Sequence, residues 1–292
     1  MSELHFVETD SQQMMQELLR DFETYTGEVL APGDARRIFL QGFGYVLAGV
    51  LRKIDLTGRA NLLEYAFGEY LDALGELYGV TRLPAQRART TLRFTLASVP
   101  AEQVVIPAGT SVSPDGTLFF ETRAELVFPA GTATLSQSVT AEAAGAGPAY
   151  NGFLPGQITR LEKGVPFLHS VSNTMESTGG TETEADQALR ERIRLAPFGM
   201  AVAGPRMAYE YFAKSASPDI MDVAVYSPNP GYVDIAVVKQ GGVVPEQDDP
   251  VMARVLECCN ARERRPLTDH VEVVPAAVKQ TALQAEYYIA QE

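Results

Sequence analysis

Tryptophan is absent from this 292-residue chain, which has only two cysteines and three histidines. Cys258 and Cys259 are adjacent, so they cannot join distant segments, and no second pair exists for a four-ligand zinc site. The histidines show no metal-ligand spacing and no nucleophile motif beside them: His5, His169 and His270. We therefore predict no metal and no cofactor, and interpret the cysteines as small apolar residues in a reducing cytoplasm.

Basic residues are also scarce, with 24 Lys and Arg against 37 Asp and Glu and a net charge of −13. Nucleic acids and anionic membranes bind basic surfaces, so neither is expected as the main partner. The longest apolar run, residues 45–51, is too short to cross a bilayer, and the N-terminus has no secretory signal pattern. We expect a chain made soluble in the cytoplasm, with no membrane insertion.

A glycine pair at Gly179–Gly180 precedes an apparent helix, as in a phosphate-binding loop. Carboxylates follow it where a phosphate would lie, and the lysine of a P-loop is missing. Thr181 and Glu184 instead have the spacing of a capping box, which predicts a helix beginning after Thr181.

Residues 1–85 are predicted to be helical, because apolar side chains recur at heptad spacing in two segments. The two stripes consist of Met15, Leu18, Phe22, Tyr25, Leu63, Phe67, Tyr70, Leu74 and Leu77. The segment between them, residues 34–55, is apolar on most sides and is predicted to be a buried helix. Such stripes ordinarily form an intramolecular core, but these helices have more apolar surface than three helices easily cover. A partner helix is the alternative.

Residues 86–175 are predicted to form a mainly β module. Leu92, Phe94 and Leu96 alternate as in a strand with one buried face, and Ser113–Gly116 is a hairpin signal. The tetrapeptide Pro-Ala-Gly-Thr starts at residue 107 and again at 129, where it is expected to form turns.

Residues 176–292 are predicted to be an α+β layer. The pattern is helix, helix, a hairpin turning at Pro228–Gly231, another helix, a strand after residue 264, and a last strand in residues 283–292. The whole chain is thus of the α+β class, with a helical N-terminal segment, a mainly β middle module and a C-terminal α+β layer.

Taken in order, these motifs resemble the baseplate J-like family of contractile phage tails, phage-tail bacteriocins and related injection particles. The matching stretches run from about residue 60 to residue 275: NLLEYAFGEYLDALGELYGVTRLPAQRA, TLRFTL, IPAGTSVSPDG, FETRAELVFPAG, GFLPGQI, SVSNTMESTGGTETEADQALRERI, DVAVYSPNPGYVDIAVV and RPLTDHVEVVPA.

The resemblance implies a structural, non-enzymatic protein of the baseplate wedge. Its expected partners are a second copy of itself in each wedge, a smaller wedge protein joined through a helical bundle, the central spike hub and baseplate proteins near the sheath. The ring of wedges is expected to rearrange and so trigger sheath contraction. The two N-terminal stripes are our candidates for the bundle, and the C-terminal layer for contacts between copies.

Two other classes of function remain open at this point. A glycan-cleaving tail enzyme would use two carboxylates about 5 to 10 Å apart, contributed by positions distant in sequence. A glycan-binding module would present exposed aromatic side chains in a groove, and the lack of tryptophan makes it less favoured. Neither accounts for the ordered set of motifs.

Overall fold

A computed structural model of the chain describes residues 4–8, 10–200, 205–261 and 264–279. Within them the protein is of the α+β class, as predicted, and it divides into two compact units, one ending at Thr81 and one beginning at Arg82. The boundaries at 85 and 175 stay predictions. The strand predicted for residues 283–292 lies outside the described residues.

The first unit is helical. It contains α1 (Ser11–Thr26), α2 (Ala35–Ala60) and α3 (Gly68–Glu76). Asp10 caps α1 by accepting hydrogen bonds from the backbone N–H groups of Gln12 and Gln13, and Gly27 ends the helix in the left-handed conformation. Helix α1 packs against α2, and no helix among the described residues combines the length and apolarity needed to cross a membrane.

The second unit begins with a mainly β region, as predicted. Its strands are β1 (Arg89–Leu96), β2 (Val104–Ile106), β3 (Ser111–Ser113), β4 (Phe120–Thr122), β5 (Leu126–Phe128), β6 (Ser136–Ala143), β7 (Arg160–Leu161) and β8 (Leu168–Asn173), with a short 3-10 helix at Pro148–Tyr150. Six strands form one sheet in the order β7-β3-β4-β6-β1-β8, and β2 pairs with β5. Phe94, Phe120 and Phe128 are fully buried at the centre of the core.

Turn chemistry accounts for several connections in this region. The predicted hairpin is confirmed, since β3 pairs antiparallel with β4 around Asp115. The Asp115 carboxylate accepts hydrogen bonds from the backbone N–H groups of Leu118 and Thr117, which lowers its pKa to about 2. Both Pro-Ala-Gly-Thr segments are turns, with Gly109 and Gly131 at φ of 80° and 72°.

The rest of the second unit is the predicted α+β layer. It contains α4 (Asp186–Gly199), α5 (Arg206–Lys214), β9 (Ile220–Tyr226), β10 (Tyr232–Lys239), a 3-10 helix (Gln240–Gly242), α6 (Pro250–Asn260) and β11 (His270–Pro275). Strand β10 is central, antiparallel to β9 and parallel to β11. Helices α5 and α6 share one core with this sheet, in which Ile235, Val255 and Cys259 are completely buried. Burial raises the pKa of Cys259 to about 12, so this thiol is a core residue.

Candidate partner interface

The four candidate interface residues of α1 divide between two environments. Met15 and Leu18 lie over Gly44 of α2, where a Cβ atom would be only 2.5 Å from the Met15 Cε. Phe22 is half-buried, whereas Tyr25 in the last turn is 91% exposed. The first half of this stripe therefore packs within the chain, and Tyr25 is left open to solvent.

The second predicted stripe does not form a single helix. Helix α2 continues to Ala60, a turn contains Leu63, and Phe67 is extended before Gly68, at φ 50°, begins α3. The prediction that one helix carries the whole second stripe, Leu63 to Leu77, is therefore wrong, because extended backbone at Phe67 interrupts it.

The break leaves the members of this stripe in different surroundings. Leu63 and Leu74 are half-buried. The ring centroids of Phe67 and Tyr70 lie 5.6 Å apart in an edge contact, and the two residues are 43% and 50% exposed. Leu77 is 77% exposed. Tyr65 is half-buried and Tyr78 is exposed, and tyrosine suits such positions because its ring is apolar and its hydroxyl group polar. Exposed members of the stripe thus remain available to a partner.

Helix α2 differs most from its prediction. It was expected to be buried, but in this chain only its inner face is covered, with Gly44, Ala48, Asp55 and Ala60 its buried residues. Large apolar side chains elsewhere around the helix are exposed: Ile38, Phe39, Phe43, Tyr45, Val46, Val50, Ile54 and Leu56. The physical reason is that α1 covers only one side of a helix that is apolar nearly all round.

Five of these exposed side chains form one row, which we call the α2 stripe: Phe39, Phe43, Val46, Val50 and Ile54. Their spacings of four, three, four and four residues place them along one side of the helix. Sequence reasoning missed this site, although the spacing was visible, because an all-round apolar helix reads as a core helix.

Two glycines border the α2 stripe, and no contact within the described residues requires them to be glycine. A Cβ atom added at Gly42 or Gly49 would meet nothing within 4 Å. Gly44 and Gly58, by contrast, lie directly beneath Met15 and Phe6. A glycine in a helix interior costs about 1 kcal/mol relative to alanine, so Gly42 and Gly49 weaken α2 without any compensating contact in the described residues.

The charge of α2 is opposite to that of the chain as a whole. Its basic residues are Arg36, Arg37, Arg52, Lys53 and Arg59, and its only acidic residue is Asp55. Asp55 is buried on the inner face, so it does not neutralise the outer one. Arg52 and Lys53 are exposed, and neither forms an ion pair with any residue that the structure describes.

The glycine pair of the second unit has a structural role. The Gly180 N–H donates to the Asn151 Oδ1 at 2.8 Å, and the Asn151 Nδ2 donates to the Gly180 carbonyl at 2.7 Å. A Cβ atom at Gly180 would lie 2.3 Å from the Gly147 carbonyl oxygen. The close approach of the two backbones explains why residue 180 is a glycine. Its N–H group, which a phosphate-binding loop would direct at an anion, already donates to Asn151.

The predicted capping box beside that pair is wrong. Helix α4 begins at Asp186 without a side-chain cap. Thr181 instead bridges to Gln86, and the Glu184 carboxylate forms an ion pair with Arg192 at 2.7 Å and accepts a hydrogen bond from the Leu83 N–H. Burial raises the pKa of Glu184, while its hydrogen bond with Leu83 and the nearby arginines oppose that rise.

Four carboxylates of the second unit are ion-paired, buried or alone in a cleft, unlike the two free acids of a glycosidase. Asp219 and Asp249 both form an ion pair with the Lys239 Nζ at 3.1 Å. Glu184 has a raised pKa, but its side chain is only 1% exposed. A cleft of about 410 Å³ between residues 105–111 and 162–166 is lined by a single carboxylate, that of Glu162.

Two family descriptions match the second unit in chain order. Residues 91–180 match the Baseplate J-like protein barrel domain, and residues 201–275 match the Baseplate J-like central domain. The chain belongs to the baseplate J-like family. This confirms the resemblance that the sequence motifs indicated.

Two known proteins illustrate the extent of similarity. "Baseplate protein J" of Escherichia phage P2 is 35% identical over 108 residues, which cover 36% of this chain and 35% of the phage protein. The alignment thus spans about a third of the length of that baseplate J-like relative. A chain in the cryo-EM structure of the anti-feeding prophage (AFP) baseplate aligns over 88% of this chain and 70% of that one, with 14% identity and a TM-score of 0.42. A score of that size does not establish a shared fold.

Proposed function

We propose that this protein is a structural component of the baseplate of a phage or phage-like contractile particle. The observation that carries the proposal is the pair of family domains, barrel then central, in one chain. The name of the phage P2 relative supports the same role. Both matched domains lie in one compact unit, which contains a β core and an α+β layer.

Within the baseplate, we propose that the chain forms part of a wedge in the ring around the central spike hub. It pairs there with a second copy of itself and with a smaller wedge protein. The N-terminal helices carry the contact with the smaller protein, and their exposed residues Tyr25, Phe67, Tyr70 and Leu77 belong to it. The C-terminal layer carries contacts between copies.

The proposed mechanism is a change of packing between subunits, with no bond made or broken. An interface with two alternative packings lets a small movement at the rim of the ring select one of them and so start sheath contraction. We assign no catalytic residue, because Asp219 and Asp249 are held in ion pairs with Lys239 and Glu184 is enclosed, unlike the free acids of a glycan-cleaving pair.

The test uses the particle encoded beside this chain in its own genome. An epitope inserted at the exposed Gly33 loop allows the chain to be located by gold labelling and electron microscopy. We expect label at one end of the tail, and tails lacking a baseplate when the reading frame is deleted and restored by a plasmid copy. Normal tails after deletion, or label absent from particles, would contradict the proposal.

A further inference from the structure

We propose that residues 283–289 of this chain pair as an antiparallel strand with the open edge of β11, with the Tyr287 side chain in the groove between β11 and α6. This segment lies outside the described residues, and its sequence predicts a strand. The inference goes beyond the proposed function and does not depend on it, because it concerns how the chain completes its own sheet.

The first argument is the open edge of β11. Among the described strands the order is β11-β10-β9, so β11 has a neighbour on one side only. The His270 N–H donates to the carbonyl of Gly231, just before β10, so the even-numbered residues of β11 direct their backbone groups toward β10. Val271 and Val273 therefore direct theirs outward, where an unpaired edge can accept another strand.

The second argument is that this edge has backbone groups in need of partners. Val271 and Val273 are 6% and 5% exposed, and within the described part of the chain no group accepts a hydrogen bond from their N–H groups. Nearly all buried backbone N–H groups in proteins have an acceptor. The Val273 carbonyl already attracts a donor, since the Nε2 of the exposed Gln247 lies 3.1 Å from it. A paired strand supplies the missing acceptors.

The third argument is the apolar groove beside the edge. A cleft of about 480 Å³ lies between α6 and β11, and Met252, Ala253 and Leu256 contribute its helical side. Leu256 is 37% exposed on a helix that otherwise packs against the sheet. A strand added to β11 places every second side chain over this groove and removes its apolar wall from water.

The sequence of the segment matches this position. Its odd-numbered residues are apolar or aromatic, and Gln284 and Glu286 lie between them: Leu283, Ala285, Tyr287 and Ile289. In an antiparallel strand, the residues that hydrogen-bond to Val271 and Val273 have their side chains on the same face as those buried valines. The apolar, odd-numbered set therefore faces the groove and also bonds to β11, whereas Tyr288 does neither.

Connectivity selects this segment over a strand from another molecule. It follows β11 in the chain, with residues 276–282 available for the turn, and consecutive strands are usually neighbours in a sheet. A short tether also gives an effective concentration on the order of millimolar, which a second copy has to exceed.

The test is residue-resolved amide hydrogen exchange of the full-length chain. We expect the Val271 and Val273 N–H groups to be protected in the wild type. Tyr287→Pro removes an N–H that donates to β11 and should lower their protection at least about tenfold. Tyr288→Pro is the matched control, because the N–H lost there faces solvent and proline is tolerated at such edge positions.

Two further comparisons separate loss of the added strand from loss of the sheet. The N–H groups of Glu272 and Val274 face β10, so they should stay protected in both proline variants. Leu256→Ser makes the groove polar and should also lower the protection of Val271 and Val273. Leu154→Ser, at an exposed leucine of the β region, should leave it unchanged.

Three results would overturn the inference. The first is rapid exchange of Val271 and Val273 in the wild type while Glu272 and Val274 are protected. The second is an equal effect of Tyr287→Pro and Tyr288→Pro. The third is a dimer, seen by sedimentation, that Tyr287→Pro dissociates, because the strand on β11 would then come from a second copy.

Discussion

Asp55 holds the N-terminal segment onto α2 through Phe6. The Asp55 Oδ1 accepts a hydrogen bond from the Phe6 backbone N–H at 2.7 Å, and the Asp55 Oδ2 lies 3.0 Å from the His5 Nδ1. The Phe6 ring then covers Gly58, one turn further along the helix. The inner face of α2 is therefore covered both by α1 and by residues that precede α1.

This relationship predicts a pH-dependent contribution of Asp55 to stability. In the folded chain the pKa of Asp55 is lowered. The hydrogen bond from the Phe6 N–H contributes most, and the hydrogen bond with His5 and the charge of Arg59 contribute less. A lowered folded pKa gives stability that is present above the unfolded pKa and is lost as the pH falls through the folded pKa. We expect Asp55→Asn to reduce the thermal midpoint of the helical signal at pH 7.

The difference between wild type and Asp55→Asn should narrow below about pH 4 and vanish at lower pH, where both side chains are neutral. Asp21→Asn is the control, because Asp21 is exposed in α1 and its ion pair with Arg20 lies on the surface. Midpoints measured by circular dichroism between pH 7 and pH 2.5 decide the matter. Parallel curves for the two proteins would show that the Asp55 charge is irrelevant.

The glycines of α2 should respond in opposite ways to alanine. Gly42→Ala and Gly49→Ala add a methyl group to open space and should each stabilise the chain by about 1 kcal/mol through helix propensity. Gly44→Ala places a Cβ at 2.5 Å from the Met15 Cε, so the movement of Met15 should offset that gain. Urea denaturation of the three variants gives the comparison, and equal gains at all three positions would contradict it.

The behaviour of α2 shows where reasoning from sequence ends. Its existence follows from the pattern after Pro32–Gly33, and the β9–β10 hairpin follows from the turn residues between two apolar runs. Burial of α2 does not follow, because periodicity shows which side chains are apolar and does not show how many neighbouring helices the chain supplies. Three helices cover only the inner face.

Local signals failed where tertiary contacts competed for the same groups. Thr181 and Glu184 have capping-box spacing, but each finds a partner distant in sequence, Gln86 and Leu83 respectively. Likewise, the heptad spacing from Leu63 to Leu77 continues across Phe67, where extended backbone interrupts the helix. Among the candidate interface residues, Met15 and Leu18 were predictable as apolar contacts, whereas their partner Gly44 has no side chain to reveal it.

The ion pair of Glu184 and Arg192 should be costly to break and inexpensive to replace. Their side chains are 1% and 6% exposed and meet at 2.7 Å. Glu184→Ala leaves the Arg192 charge enclosed, and removing one partner of a buried pair typically costs about 3 to 5 kcal/mol.

The double variant Glu184→Leu with Arg192→Met removes both charges and should be closer to wild type than Glu184→Ala. Denaturant unfolding of the two variants measures this, with Arg206→Ala as a control that breaks the exposed pair with Glu210. A double variant no more stable than Glu184→Ala would indicate that these residues do not act as a pair.

Gly180 should be among the glycines that cannot be replaced. Its backbone is not in the left-handed region, so conformational freedom does not explain it; the reason is the Gly147 carbonyl oxygen, 2.3 Å from any added Cβ. Gly180→Ala must separate the two backbones and stretch the paired hydrogen bonds to Asn151. We expect a loss of about 1 to 3 kcal/mol in the free energy of unfolding.

Gly164→Ala is the matched control, because a Cβ there meets nothing within 4 Å, and it should leave stability unchanged or slightly raised. Amide hydrogen exchange at residue 180 adds a local readout, since its N–H donates to Asn151 and should lose protection in Gly180→Ala alone. If Gly180→Ala is as stable as Gly164→Ala, and its amide at residue 180 is equally protected from exchange, close packing does not account for the Gly179–Gly180 pair. A phosphate-binding loop at Gly179–Gly180, with backbone N–H groups free to bind an anion, would then have to be reconsidered.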